Sequence, residues 1–116
     1  MAKNPNQIDA LNLKNWLNSA YDQPKVIDVR EDMELEIAKF SYTNIHIPMS
    51  KVSLDFVNSK INNFQENKYV IICHMGIRSF AFGQWLLDNK FLGEVWNLEE
   101  GIDGWSRFID KSIPRY

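Results

Sequence analysis

Tyr69-Val70-Ile71-Ile72-Cys73-His74-Met75-Gly76-Ile77-Arg78-Ser79 is the stretch on which the reading of this chain turns. Its first four residues have the apolar, β-branched content and the length of a buried strand. From Ser79 to about residue 89, through Phe80, Phe82, Trp85, Leu86 and Leu87, the pattern is that of a helix. Between strand end and helix start lies a short loop that begins with the only cysteine in the chain. Unpaired backbone N–H groups and the positive end of a helix dipole meet at such a junction and favour a thiolate. Cys73 is therefore the candidate nucleophile, and the reading expects it to be exposed.

Outward from this loop, helical and strand patterns alternate. Leu13, Trp16, Leu17, Ala20 and Tyr21 recur at helical spacing, Gln23-Pro24 punctuates, and Lys25-Val26-Ile27-Asp28-Val29 reads as a strand. Met33 to Ala38 reads as a helical turn and Ile45-His46-Ile47 as a short strand closed by Pro48. Leu54, Val57, Ile61 and Phe64 form one face of a helix opened by Ser53. A strand around Glu94-Val95-Trp96-Asn97 and a turn at Gly101–Trp105 follow, with Asp103-Gly104 read as part of that turn. This order predicts an α/β fold: one domain over residues 1–116, a central, mostly parallel sheet with helices on both faces, and a flexible N-terminal stretch over residues 1–7. Ligands of such sheets bind beyond the carboxyl ends of the strands. Asp28 to Glu31 and Cys73 both fall at such ends, so parallel strands would bring them to one rim.

Composition narrows the functional classes. With 116 residues, 45% hydrophobic and 24% charged, the chain can bury a core without disulfides. A net charge of −2 and the lack of any long basic block argue against nucleic acid and anionic membrane as partners. No stretch approaches the roughly 20 apolar residues that cross a bilayer, and the N-terminus lacks a secretory h-region, so the expected location is the cytoplasm. One cysteine cannot form an internal disulfide, which leaves catalysis or exchange as its covalent chemistry. Two histidines and one cysteine without ligand spacing predict no metal, and no cofactor is expected.

Five segments in order carry a resemblance. Val26-Ile27-Asp28-Val29-Arg30-Glu31, Ile45-His46-Ile47-Pro48-Met49, the Cys73–Ser79 loop, Asn97-Leu98-Glu99-Glu100-Gly101-Ile102-Asp103-Gly104-Trp105-Ser106 and the ending Ile113-Pro114-Arg115-Tyr116 together resemble the single-domain rhodanese-like sulfurtransferases over nearly the whole chain. Ala38 to Asn44 and Glu100 depart from the family pattern. The resemblance implies a rhodanese-like fold and sulfane-sulfur transfer: Cys73 takes the outer sulfur of thiosulfate or a persulfide and passes it to a thiol, cyanide or a protein acceptor, within a sulfur relay if the partner is a protein. His74, Met75, Gly76, Ile77, Arg78 and Ser79 would then form the substrate-binding loop.

The residues agree with that chemistry. A covalent relay needs one reactive thiol and no second cysteine. Gly76 lets the backbone curl through positive φ, and the planar fork of Arg78 suits an oxyanion such as thiosulfate. His74 and Met75 are read as shaping the pocket mouth, Ile77 as packing inward. Asp28, Arg30 and Glu36 are read as rim support, with Arg30 paired to Glu34 or Glu36. Trp16, Trp85, Trp96 and Trp105 are read as core, and His46 as a hydrogen-bonded rim histidine. Two rival functions stand beside this one. A non-turnover sulfur carrier or regulatory binding module would keep the fold without the small-molecule reaction. A cysteine phosphatase or arsenate reductase has a longer loop: its signature places one residue more between cysteine and arginine than the four here, His74 to Ile77.

Overall fold

The computed structural model describes residues 4–61 and 68–116. Its strands are β1 (Asn6–Ile8), β2 (Lys25–Asp28), β3 (Ile45–His46), β4 (Lys68–Ile72) and β5 (Glu94–Leu98). Period-two burial along β2 and β4 sets the layers: Ile27, Tyr69 and Ile71 are buried on one side of the sheet, Val26, Val70 and Ile72 on the other. Strands apolar on both faces need cover on both, which parallel connections through helices supply. The sheet runs β1-β5-β4-β2-β3 with every pairing parallel.

The helices are α1 (Ala10–Leu17), α2 (Asp32–Ile37), α3 (Leu54–Lys60), α4 (Ile77–Asp88) and α5 (Gly101–Phe108). Val57 of α3 with Phe82 and Leu86 of α4 pack on the face that holds Ile27, Ile71 and Val95. Leu13 of α1 with Ile102 and Trp105 of α5 pack on the opposite face. Ser53 opens α3 by accepting a hydrogen bond from the Phe56 N–H at 3.1 Å, and Asp9 does the same for Asn12 at the start of α1 at 2.8 Å. Asp28 lies opposite Ile72 in the β2–β4 register, and the Val29 N–H continues the ladder to the Ile72 carbonyl at 3.0 Å. The two strand ends thus share one rim, as the sequence led one to expect. No helix among the described residues is long and apolar enough to cross a membrane.

Several expectations need correction. Residues 6 and 7 belong to β1, not to a flexible stretch: β5 offers a free edge, Ile8 pairs with Leu98 and is 9% exposed, and Pro5 lies against Gly83, where an added Cβ would come within 2.8 Å of it. Helix α1 stops at Leu17, because the Asn18 N–H closes onto the Lys14 and Trp16 carbonyls and leaves Ala20 and Tyr21 outside the helix and exposed. The segment read as a turn at Gly101–Trp105 is helix α5, with Asp103 and Gly104 inside it. Trp105 is fully buried in the core, while Trp16, Trp85 and Trp96 pack against the core but are only half-buried. Phe64, assigned to the face of α3, lies outside the described residues.

Candidate active site

A short loop joins β4 to α4 and wraps the Cys73 sulfur. Gly76 has φ +92°, and a Cβ there would fall 2.0 Å from the Glu99 carbonyl oxygen, so only glycine allows this turn against the end of β5. The turn aims the Gly76 N–H at Cys73 Sγ, 3.1 Å away. Ser79 Oγ lies 3.1 Å from the same sulfur and donates to Asn97 Oδ1 at 2.5 Å. This hydroxyl has one proton for two acceptors, so it can receive an S–H or turn its own proton toward a sulfur anion. Asn97, at the end of β5, also donates from Nδ2 to the Gly76 carbonyl at 3.1 Å and to Gln7 Oε1 of β1 at 2.9 Å. The first turn of α5 braces the other side: the Ile102 and Asp103 N–H groups bind the Cys73 and His74 carbonyls at 2.9 and 3.0 Å. That approach needs Gly101, whose added Cβ would sit 2.4–2.5 Å from those two carbonyl oxygens.

Arg78 does not stand free. Its Nη1 and Nη2 donate to the two carboxylate oxygens of Glu34 on α2 at 2.6 and 2.8 Å. Glu34 also accepts from the Tyr116 hydroxyl at 2.7 Å and from the Glu31 N–H at 3.1 Å. These bonds, Arg78's first among them, hold the Glu34 carboxyl down at about 2, against the opposing effect of burial. The Arg78 pKa is raised above its ordinary value chiefly by the Glu34 hydrogen bonds. Tyr116 is pushed up to about 12, mainly by burial, while its hydrogen bond from Arg30 acts the other way.

Arg30 is fully buried and turns to Asp28 instead of the expected Glu34 or Glu36: Nη2 lies 2.9 Å from Asp28 Oδ2, and Nε contacts both carboxylate oxygens. Burial opposes its charge, but the Asp28 and Tyr116 hydrogen bonds prevail and its pKa is raised. Asp28 and Arg30 project from the end of one strand two residues apart, which brings them together. Arg30 also reaches the Tyr116 hydroxyl at 3.1 Å, so Tyr116 bridges the Arg30 and Glu34 sites. Glu36 is exposed, and the rim role assigned to it falls to Glu34 two residues earlier.

The remaining loop side chains sort by exposure. Cys73 itself is 1% exposed, not the exposed thiol expected, because Ser79, Asn97 and the α5 turn close around it. Ile77 is 78% exposed and does not pack inward, since the first turn of α4 turns it away from the sheet. Met75 is half-exposed, and His74 stacks on Tyr116 with ring centroids 3.9 Å apart. His46 holds the Arg30 carbonyl at 2.7 Å, as a rim histidine should. Sequence reading missed Glu34 as the Arg78 partner, and it missed Asn97, Gln7 and Tyr116 as parts of the site. Asn97 carried a signal, a polar residue between apolar ones at a strand end; Tyr116 carried only its place in the Ile113–Tyr116 ending, with nothing to mark its partners, and Gln7 carried none. Among the described residues no group of three His, Cys, Asp or Glu side chains is gathered to hold a metal.

Comparison with known proteins agrees with this geometry. The rhodanese-like domain model matches residues 13–108. The chain is 31% identical over 112 residues to the chloroplastic rhodanese-like/PpiC domain-containing protein 12 of Arabidopsis thaliana, covering 95% of this chain and 36% of that protein. It is 31% identical over 106 residues to the adenylyltransferase and sulfurtransferase UBA4 of Debaryomyces hansenii, covering 88% of this chain and 24% of that protein. It therefore spans only about a third and a quarter of these relatives. The crystal structure of a rhodanese-like domain protein from Staphylococcus aureus superposes with a TM-score of 0.68 at 27% identity, over 96% of this chain and 98% of that one. An all-parallel sheet with the sole cysteine wrapped at the end of its central strand, together with these matches, places the chain in the rhodanese-like domain family.

Proposed function

We propose that this domain is a sulfurtransferase that carries sulfane sulfur on Cys73. The observation that supports this most is the polar cradle around the thiol: the Gly76 N–H and Ser79 Oγ both sit 3.1 Å from Sγ, where they can meet negative charge on sulfur. In the first half-reaction the Cys73 thiolate attacks the outer sulfur of the donor. A new Sγ–S bond forms as the donor bond to that sulfur breaks, and the leaving group keeps the electron pair. In the second, an acceptor thiol or cyanide attacks the outer sulfur and releases the Cys73 thiolate. The Gly76 N–H and the Ser79 hydroxyl stabilise negative charge on sulfur in both steps, as a preorganised anion hole does. One relative bears sulfurtransferase in its name, which is in keeping with this role.

The near-complete burial of Cys73 favours a second reading, a binding module without turnover. One experiment separates the two. Intact-protein mass after incubation with an organic persulfide or thiosulfate is expected to rise by one sulfur atom and to fall back on adding cyanide or a thiol, while Cys73→Ser shows neither change. Folded protein that takes up no sulfur from several chemically distinct donors would leave the binding module as the answer.

A further inference from the structure

Cation supply at the mouth of the loop decides which donors it can hold. Thiosulfate is a dianion and needs a guanidinium or ammonium whose charge is free to meet it. The loop provides one permanent cation, Arg78, and both of its terminal nitrogens are already bonded to Glu34. Glu34 is in turn fastened by the Tyr116 hydroxyl and the Glu31 N–H, so the pair is one corner of a network and not a mobile surface contact. The other rim arginines are engaged too: Arg30 on Asp28, and Arg107 and Arg115 on Asp103 beside His74. Arg78 keeps N–H donors beyond this pair, but Glu34 neutralises its charge, so a dianion bound there would meet no net cation and would lie beside the Glu34 carboxylate. What the loop itself presents instead is apolar surface: Ile77 is 78% exposed and Met75 50%.

We infer that the loop draws its sulfur from an organic persulfide with an apolar substituent, in preference to thiosulfate, and that Glu34 sets this preference by occupying Arg78. The inference rests on the sulfurtransferase reading above and names its donor class. The step balances without an added oxidant or reductant: the Cys73 thiolate and R–S–SH give Cys73–S–SH and the thiolate R–S⁻, with the carbon group of the donor lying on Met75 and Ile77. Glu34 touches neither sulfur. It is a specificity-determining residue that acts through Arg78.

The test compares benzyl hydropersulfide with thiosulfate as donors to the intact chain, reading Cys73 persulfide formation by mass and by rate. Each rate is divided by that of free N-acetylcysteine with the same donor, which removes the difference in intrinsic reactivity. In the wild-type protein the normalised preference for the benzyl donor is expected to be about tenfold or more. Glu34→Gln keeps the shape of the side chain but frees the Arg78 charge, and should move the preference toward thiosulfate by about tenfold, chiefly through KM. Damage to the loop would instead slow both donors together. Ile77→Ser, at a surface position that folding does not need, should weaken the benzyl donor alone. Equal or better use of thiosulfate by wild type, with Cys73 still taking up sulfur, would overturn the donor assignment and leave the sulfurtransferase reading standing. An unchanged ratio in folded Glu34→Gln would overturn the role of Glu34, and no sulfur on Cys73 from either donor would overturn both readings.

Discussion

Gly76 and Tyr116 show how single residues hold the sulfur cradle, one by lacking a side chain and the other by bringing one from far along the chain. Gly76→Ala would require φ +92° of a residue with a Cβ and would drive that carbon into the Glu99 carbonyl. A loss of more than about 2 kcal/mol is expected. Thermal or urea unfolding measures it, and sulfur uptake by Cys73 should fall with it, because the N–H that contacts Sγ moves. Tyr116→Phe is a gentler change. It keeps the stack on His74 and removes the hydroxyl that joins Glu34 to Arg30. Roughly 0.5–1.5 kcal/mol of stability should be lost. A denaturant titration beside wild type checks this, and no change would mean that the stack alone holds residue 116 in place.

At the scale of elements, α2 is tied to the start of α4 by the Glu34–Arg78 pair, and the two pKa shifts beside it define when that tie holds. A carboxyl held at about 2 in the fold and titrating near 4.5 when unfolded stabilises the fold above its unfolded value and loses that contribution as pH falls through about 2. Arg78 is about a third exposed, so the contribution is discounted for solvent to roughly 1–2 kcal/mol. Tyr116 has the opposite sign: raised from 10.0 to about 12, it contributes fully below its unfolded value and less as pH rises through the folded one. The tie should therefore be constant between roughly pH 5 and 9. Within that window the ratio of rates for an apolar persulfide and thiosulfate should be flat once the donors' own ionisation is removed, and Glu34→Gln should lose its extra acid sensitivity below about pH 4 in unfolding experiments. A wild-type ratio that changes several-fold across the window would show that another group sets donor choice.

For the whole molecule, the sheet is what assembles the site, and its edge strand takes part. Gln7 of β1 holds Asn97, Asn97 holds the Gly76 carbonyl, and Ser79 links Asn97 to the sulfur. Removing residues 1–8 should cost about 2–4 kcal/mol through the buried Ile8 and the lost ladder bonds, and should slow sulfur uptake more than Gln7→Ala does alone. A comparison of stability and persulfide formation in the two variants measures the coupling. The α/β order, the position of Cys73 beyond a buried strand, the glycine turn and the shared rim of β2 and β4 were legible in the sequence by itself. Each follows from local periodicity, or from the rule that parallel strands end on one side. The partners were not. Arg78 lies 44 positions from Glu34 and Tyr116 lies 86 from Arg30, and no local pattern marks which acid reaches which arginine. Only tertiary structure decided that Asp28 serves Arg30, that Glu34 occupies Arg78, that Cys73 is enclosed and that Ile77 is exposed, because those outcomes depend on how packed helices aim side chains across space and not on spacing along the chain.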